Sequence, residues 1–271
     1  MHLKPGVSTI VPGACGRRIF YGPLPVGSLQ TSKADRPLAA ATTGKTCYTL
    51  RPRPMPVQEF PDPRSANPEG VVAIGGDLHP DSLLLAYRQG IFPWPVEGLP
   101  LLWFSPAERG VLEFARLHIP RSLARARQRT TLHFTIDAAF ARVIRACGDT
   151  PRPGQDGTWI TPQIVAAYTR LHRMGIAHSV EAWSGERLVG GIYGVDVDGA
   201  FAAESMFYHE PNASKLALLH LVDHLRGRGL EWLDTQVLTP HVARLGARAM
   251  PRDEFLDRLR RTRRRGLRLF P

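Results

Sequence analysis

The order of hydrophobic patterns after residue 130 constrains the fold of this chain more than any other feature. Apolar residues that alternate predict strands, and apolar residues spaced by three and four predict helices. The resulting order is strand, helix, helix, three strands, helix, strand, helix and strand, followed by a basic helix. It predicts an α/β or α+β domain, in which a mixed sheet carries helices on both faces. The predicted strands are 131–137, 177–183, 187–197, 200–207 and 231–237. The predicted helices are 138–148, 161–175, 212–229, 239–245 and 253–265.

The chain before residue 131 predicts a smaller unit and an extension. Residues 1–57 are rich in Pro, Gly, Ser and Thr and lack hydrophobic periodicity, which predicts disorder, with Met55 as an alternative initiator. Downstream, the patterns predict a helix at 83–89, strands at 101–105 and 110–114, and a basic helix near 120–129. We therefore expect three parts: a disordered or misassigned extension over 1–57, a small N-terminal α+β domain over 58–120 and a larger domain over 121–271.

Composition and missing motifs limit the possible functions. No apolar run is long enough to cross a bilayer, and the first residues lack the apolar core of a signal peptide. Three cysteines, far apart and odd in number, predict neither a disulfide framework nor a zinc site. The chain also lacks the glycine-rich phosphate loops, the nucleophile elbow and the His-Glu zinc motif. We therefore expect a cytoplasmic protein that uses no metal or small cofactor and binds neither membrane nor DNA.

Positive charge is concentrated in a few segments. The formal net charge is +11, and residues 116–129 contribute five arginines without any acid. Within them, Arg121, Arg125 and Arg129 recur every four residues and so share one helical face. Guanidinium groups pair well with phosphate, so this face predicts contact with a polyanion such as RNA. The alternative is a basic face that only keeps the chain soluble.

A short apolar strand at 231–237 carries polar residues in its middle. Asp234 and Gln236 stand beside Leu233 and Val237, and burying such groups without partners is costly. Two interpretations are open at this point. The polar groups form a satisfied structural network, or they belong to a site that uses them.

The order of elements is also that of the GNAT acetyltransferases. Those enzymes hold the coenzyme A pyrophosphate on a glycine-rich turn that opens a helix, through bare backbone N–H groups. The corresponding turn, residues 207–215, has no glycine and carries Glu210, whose charge would repel pyrophosphate. The sequence thus predicts a GNAT-like acyltransferase domain without a coenzyme A cradle.

Six motifs, in order between residues 60 and 251, resemble the leucyl/phenylalanyl-tRNA–protein transferase family. They are GGDLHPDSLLLAYRQGIFPW, DGTWI, LVGGIYGV, ESMF, NASKLALLHL and LDTQVL with a following His. The resemblance implies a bacterial cytoplasmic enzyme of the N-end rule pathway of protein degradation. Such an enzyme transfers Leu, Phe or, less often, Met from aminoacyl-tRNA to the α-amino group of proteins that begin with Lys or Arg. We expect a monomer in which the amine attacks the tRNA ester without coenzyme A.

The resemblance also implies roles for individual side chains. Gln236 would accept a hydrogen bond from the attacking amine, and Asp234 would polarise and orient Gln236. Glu204 would bind the α-ammonium of the aminoacyl group. An apolar pocket would hold the transferred side chain, and its candidate residues are Ile192, Phe201, Met206, Leu221 and Leu233. The alternative for each of them is a purely structural role in the hydrophobic core. The family has Met and Phe where this chain has Ile192 and Leu221, so the pocket shape differs.

The tRNA would be held by aromatic and basic groups. Trp94 and Trp159 would stack on the terminal adenine, or else fill core, and Arg121, Arg125 and Arg129 would grip the acceptor stem through its phosphates. Two rival functions stay open. A coenzyme A-dependent acetyltransferase conflicts with the turn at 207–215, and a non-catalytic RNA-binding module leaves the polar strand residues unexplained.

Overall fold

The structure is a computed structural model that describes residues 55–96, 98–150 and 158–271. Its strands in these ranges are β1 Val71–Ile74, β2 Phe92–Trp94, β3 Leu102–Phe104, β4 Glu108–Glu113, β5 His133–Ile136, β6 Ala177–Ser184, β7 Arg187–Val197, β8 Ala200–Tyr208, β9 Trp232–Gln236 and β10 Arg248–Pro251. Its α-helices in the same ranges are α1 Pro80–Arg88, α2 Arg121–Arg129, α3 Phe140–Asp149, α4 Pro162–Arg173, α5 Ala213–Gly227, α6 Pro240–Ala243 and α7 Arg252–Arg264.

The larger sheet has seven strands in the order β10-β4-β9-β8-β7-β6-β5. Neighbouring strands run antiparallel except β8 and β9, which run parallel and pair only through Ala202 and Asp234. The helix α5 connects these two strands, as parallel strands require a crossover. The ladder between β8 and β9 is therefore short, and it lies in the middle of the sheet.

Helices cover both faces of this sheet, as the sequence predicts. A side chain at Gly190 would point at Ala213 of α5, whereas one at Gly191 would point at Val143 of α3. Successive residues of a strand point to opposite faces, so α5 and α3 lie on opposite sides. This arrangement confirms the mixed α/β or α+β class.

A smaller sheet holds β1, β3 and β2 in that order, all antiparallel. The sequence predicts β3 but neither β1 nor β2. Each has only three or four residues, and β2 contains Pro93, so neither shows an alternation long enough to recognise. The indole ring of Trp103 in β3 packs edge-on against Phe60, with 4.7 Å between ring centroids.

The strand β4 belongs to the larger sheet. The sequence assigns residues 110–114 to the small N-terminal domain, but β4 pairs with β9 on one side and β10 on the other. Periodicity cannot reveal this, because it reports which residues form a strand and not which strand they join. Residues 56–271 form one compact unit with a continuous hydrophobic core.

The expected disordered extension, residues 1–57, falls almost entirely outside the described residues. At its end, the backbone N–H of Val57 donates to Ser82 Oγ at 2.9 Å, and the Val57 side chain packs on the core. The packed part of the chain therefore begins before residue 58. Among the described residues, no helix combines the length and apolarity needed to traverse a bilayer.

Candidate active site

Two β-bulges bring polar side chains of β8 and β9 together. In β8, Glu204 is the extra residue, because its neighbours Ala203 and Ser205 pair with consecutive residues of β7. In β9, Thr235 is the extra residue, and Gln236 after it has φ of +58°. Bulges redirect side chains relative to a regular strand. Here they allow Gln236 Nε2 to donate to Glu204 Oε1 at 2.6 Å.

Asp234 is buried and bound on both oxygens by Arg109 of β4. Arg109 Nε donates to Oδ1 at 2.9 Å and Nη2 donates to Oδ2 at 2.7 Å. Arg109 is only 1% exposed, and its Nη1 donates to the carbonyl of Gly90 at 3.1 Å. The ring centroids of Phe92 and Phe255 each lie 4.5 Å from the guanidinium carbon. This bidentate geometry neutralises the buried carboxylate and fixes its orientation.

Asp234 also holds the backbone of Gln236. Its Oδ1 accepts from the Gln236 backbone N–H at 2.8 Å. Asp234 therefore contacts Gln236 through the main chain, and the polarisation of the side-chain amide that the resemblance implies stays a prediction. No described residue donates a hydrogen bond to Gln236 Oε1, so this oxygen is available to accept one from a ligand.

Glu204 receives a second hydrogen bond from a pair of tyrosines. The hydroxyl of Tyr87 donates to Glu204 Oε1 at 2.7 Å. The hydroxyls of Tyr87 and Tyr168 are also bonded to each other, and since the single proton of Tyr87 is directed at Glu204, Tyr168 is the donor in that pair. Burial and the nearby charge of Glu204 raise the pKa of both hydroxyls well above the usual value, so both tyrosines stay neutral.

Burial also dominates the acidity of Glu204. It raises the pKa of this carboxyl to about 7, and the charge of Asp234 raises it as well, whereas hydrogen bonds from Tyr87 and Gln236 act in the opposite direction. Glu204 therefore changes charge near neutral pH. Together, the carboxyl of Glu204 and the free amide oxygen of Gln236 offer two acceptors to a substrate amine.

Three residues of this network are absent from the sequence-based prediction. Arg109 had no clear signal, because it precedes the predicted strand at 110–114, and only the structure places it inside β4. Tyr87 and Tyr168 had none, since an aromatic residue on the apolar face of a helix is usually core. The structure brings the predicted Asp234, Gln236 and Glu204 together in one network.

The five predicted pocket residues lie in packed surroundings. Ile192, Phe201, Leu221 and Leu233 are buried, and Met206, opposite Ile192 across β7 and β8, is partly buried. Only Phe201 of the five lines the cavity of about 10 Å³ beside Asp234, a volume close to that of one water probe. Their role in binding the transferred side chain stays a prediction.

The predicted tRNA contacts fall into two groups. Trp94 and Trp159 stack on each other, with centroids 5.8 Å apart and 25° between the planes, and Trp159 is buried while Trp94 is half-buried. Arg121, Arg125 and Arg129 are exposed on α2, whereas the neighbouring Arg127 pairs with Asp223 of α5.

Within the described residues, no group of three His, Cys, Asp or Glu side chains could hold a metal ion.

Comparison with known proteins identifies the family. The model for the leucyl/phenylalanyl-tRNA protein transferase matches residues 111–260, and the model for the N-terminal domain of the same proteins matches residues 76–107. Two solved structures align only loosely. A conserved protein of unknown function from Staphylococcus epidermidis is 12% identical, with 53% of this chain and 57% of that chain covered and a TM-score of 0.36. L-PGS from Bacillus licheniformis is 15% identical, with 59% of this chain and 52% of that chain covered and a TM-score of 0.35. Both scores are too low to assign a fold.

Relatives of similar length agree with the family models. Leucyl/phenylalanyl-tRNA–protein transferase of Anaeromyxobacter dehalogenans is 54% identical over 202 residues, which cover 74% of this chain and 87% of the relative. The proteins of the same name from Nitratidesulfovibrio vulgaris and Myxococcus xanthus are 53% and 50% identical, over 73% and 74% of this chain and 84% and 86% of their own length. The chain therefore belongs to the leucyl/phenylalanyl-tRNA protein transferase family, a family of aminoacyltransferases.

Proposed function

We propose that this chain transfers Leu or Phe, and less often Met, from aminoacyl-tRNA to the α-amino group of proteins that begin with Lys or Arg. The new N-terminal residue marks the acceptor for the N-end rule pathway of protein degradation. The observation that supports this most is the side chain of Gln236, which is bound to Glu204 through Nε2, while Oε1 accepts from no described residue. An amide fixed in this way can accept a proton-bearing amine and hold it in line with an ester.

The reaction forms one bond and breaks one. The neutral α-amine of the acceptor attacks the carbonyl carbon of the aminoacyl ester, the amide C–N bond forms, and the 3′-oxygen of the terminal ribose leaves. The amine loses one proton and the leaving oxygen gains one, through the ribose 2′-hydroxyl or a water. Gln236 Oε1 positions the amine, which is the larger part of its role because an amide is a weak base.

Glu204 and Asp234 have different tasks in this proposal. As a carboxylate, Glu204 binds the α-ammonium of the aminoacyl group and so orients the ester beside Gln236. Asp234 touches no substrate. It is a positioning residue that receives its own orientation from Arg109 and passes it to the Gln236 backbone. Binding energy is thereby used to place the reacting atoms.

We assign the transferred side chain to the apolar residues Ile192, Phe201, Met206, Leu221 and Leu233. They lie on or beside the strands that carry Glu204 and Gln236, and their apolar side chains suit Leu, Phe and Met. A β-branched side chain would clash near its Cβ. Since these residues are tightly packed, side-chain movement must open the pocket on binding.

We further propose a GNAT-like domain that has lost its coenzyme A site. The parallel pair β8 and β9, joined by α5, supports this assignment. The turn before α5 carries Glu210, here paired with Arg187 at 2.8 Å, where a pyrophosphate cradle would need bare N–H groups. The pairing of β4 with β9 favours a boundary to the small N-terminal domain before β4, and not at residue 120. We place the enzyme in the cytoplasm as a monomer.

The charged tRNA approaches from the side of α2 and the tryptophan pair in this proposal. The exposed arginines of α2 contact phosphates of the acceptor stem, and the half-buried ring of Trp94, backed by Trp159, offers a surface for the terminal adenine. Neither contact reads base sequence.

One assay tests the proposed function. Labelled Leu-tRNA is mixed with a peptide that begins with Arg, with and without acetyl-CoA, and transfer of label to the peptide is measured. We expect transfer that does not depend on acetyl-CoA and that fails with the same peptide when its α-amine is acetylated. Acetylation of the peptide by acetyl-CoA, or binding of tRNA without transfer, would overturn the proposal.

A further inference from the structure

A groove of about 670 Å³ lies between α3 and α4, on the face of the sheet opposite α5. Neither the catalytic network nor the arginines of α2 contribute to it. Its lining combines three arginines, Arg145 from α3 and Arg170 and Arg173 from α4, with the single carboxylate of Asp149 and with apolar side chains that include Ile160.

The three arginines of this groove are exposed and unpaired among the described residues. No carboxylate oxygen of a described residue lies within ion-pair distance of Arg145, Arg170 or Arg173, although Asp149 shares the groove. By contrast, Arg258 and Arg263 of α7 pair with Glu113 and Asp198 at 2.7 and 2.8 Å. Like charges that converge from two helices without acidic partners repel each other, unless an anion binds between them.

The groove begins next to the tryptophan pair. Ile160 lines it and packs against α3, where a Cβ on Gly148 would lie only 3.4 Å from Ile160 Cγ2. The preceding residue, Trp159, stacks on Trp94. Consecutive Cα atoms are about 3.8 Å apart, so an aromatic platform and a cationic groove adjoin each other.

We propose that this groove binds the backbone phosphates of the unpaired 3′ end of the aminoacyl-tRNA. The inference rests on the proposed function and names a contact for its tRNA substrate. Sites for single-stranded nucleic acid combine a cationic groove along the backbone with aromatic side chains that stack on bases, which are the two features that adjoin here. Guanidinium groups bind phosphate oxygens in a forked geometry and stay charged at every working pH.

A groove between two packed helices suits a single strand better than a duplex. Packed helices lie about 8–10 Å apart, and a base-paired stem is too wide to enter a groove between them. The stem remains with the exposed arginines of α2. The two basic surfaces therefore take different parts of one tRNA, the groove the single-stranded end and α2 the duplex.

The test compares three donors that carry the same aminoacyl group. They are aminoacyl-adenosine, which has no phosphate, the aminoacylated trinucleotide CCA, and whole charged tRNA. We expect the full-length variant R145A/R170A/R173A to show a KM for the trinucleotide and for tRNA that is higher by roughly tenfold or more, with kcat nearly unchanged. With aminoacyl-adenosine, kcat/KM stays within about twofold of the unchanged protein, because this donor offers no phosphate to the arginines.

A charge-matched control separates the groove from general electrostatics. The variant R261A/R264A/R268A removes three exposed arginines at and after the end of α7, and we expect no change with the trinucleotide. The R121A/R125A/R129A variant should affect whole tRNA alone. An unchanged KM for the trinucleotide in the groove variant overturns the inference, and so does an equal decrease of kcat/KM with aminoacyl-adenosine.

The outcomes also distinguish this inference from the proposed function. If the unchanged protein transfers the aminoacyl group and the groove variant behaves like it, only the inference fails. If the unchanged protein transfers nothing, the proposed function fails. Fluorescence anisotropy with a 5′-labelled CCA trinucleotide then still measures whether the groove binds this strand. Equal affinity of the unchanged protein and the groove variant for this probe would then rule the groove out.

Discussion

At the scale of single residues, Gln236 stands out by its backbone. Four described residues other than glycine have positive φ, and the other three are Asp137, Asp198 and Asn212, the residue types that tolerate this region best. Gln236 lacks that tolerance, so its conformation needs support, and the carboxylate of Asp234 supplies it through the backbone N–H. Strain of this kind is found where function requires a particular side-chain direction.

Replacement of Gln236 tests its positioning role. We expect Gln236→Ala to lower kcat by about 10- to 1000-fold, or about 1.4–4 kcal/mol, because the variant cannot make the positioning hydrogen bond to the reacting amine. The melting temperature should fall only modestly, because the variant loses the side-chain hydrogen bond to Glu204 but keeps the one from its backbone N–H to Asp234. Thr235→Ala is the control: the buried Thr235 Oγ1 has no hydrogen-bond partner among the described residues, so kcat should stay unchanged. Normal turnover in Gln236→Ala would contradict the assigned role.

The carboxyl of Glu204 predicts a pH dependence of stability. Its pKa rises from the usual 4.5 to about 7 in the folded protein, chiefly through burial. A raised pKa means that folding favours the protonated form, so this stabilisation is complete below about pH 4.5 and is lost as the pH rises through 7. We therefore expect the melting temperature to fall more between pH 5 and pH 8 in the unchanged protein than in Glu204→Gln. Parallel pH profiles for the two proteins would contradict this.

At the scale of elements, the pair of Arg109 and Asp234 joins two strands that lie far apart in the sequence. Arg109 lies on β4 and Asp234 on β9. Gly90, in the turn after α1, and Phe255 of α7 flank the pair. The guanidinium of Arg109 therefore fixes the spacing of β4 and β9 near the C-terminal end of β9, where Gln236 lies. A buried ion pair of this kind serves geometry more reliably than it serves stability.

Breaking this pair on one side should be costly. We expect Asp234→Ala and Arg109→Met each to lower the free energy of unfolding by about 3–5 kcal/mol, because each leaves the other charge buried and unpaired. The double variant Arg109→Met/Asp234→Leu should regain most of that stability, since both charges are gone. It should remain inactive, because the Gln236 N–H keeps no acceptor. Urea unfolding and transfer assays on the three variants measure both effects, and an active double variant would refute the positioning role of Asp234.

At the scale of the whole molecule, the net charge of +11 is concentrated on particular parts of the surface. Many arginines of the described residues are paired with carboxylates, for example Arg88 and Arg263 with Asp198. Those of α2 at Arg121, Arg125 and Arg129 remain exposed. Cations on a regular, exposed helical face attract a polyanion over a long range and so increase the rate of its association.

Removal of this face should weaken tRNA binding without affecting the chemical step. We expect Arg121→Ala/Arg125→Ala/Arg129→Ala to raise the KM for charged tRNA and to reduce the salt dependence of binding by up to about 0.9 in log–log slope for each phosphate that is no longer neutralised. Turnover at saturating tRNA should stay nearly unchanged. Arg127→Ala is the control on the same helix, because Arg127 is already paired with Asp223. An unchanged KM and salt slope in the triple variant would contradict the prediction.

The sequence alone determined the local structure and the chemistry of individual strands. Thr161 and Pro162 begin α4 as expected, and Asp198 with Gly199 makes the hairpin turn, because caps and turns depend on a few adjacent residues. The helix α1 is a local exception: it begins at Pro80, before the predicted start at residue 83, and His79 caps it by accepting from the Asp81 N–H. The motifs were sufficient to identify the family.

Only the tertiary structure decided which side chains meet. Arg109 reaches Asp234 across 125 positions, and Tyr87 reaches Glu204 across 117. Such pairs depend on strand order and on bulges, and hydrophobic periodicity contains neither, because it reports only the face on which a residue lies. The groove between α3 and α4 has the same origin, since its arginines come from two helices whose packing no local pattern specifies. The sequence thus supplies the polar groups of the site, and long-range packing arranges them for chemistry.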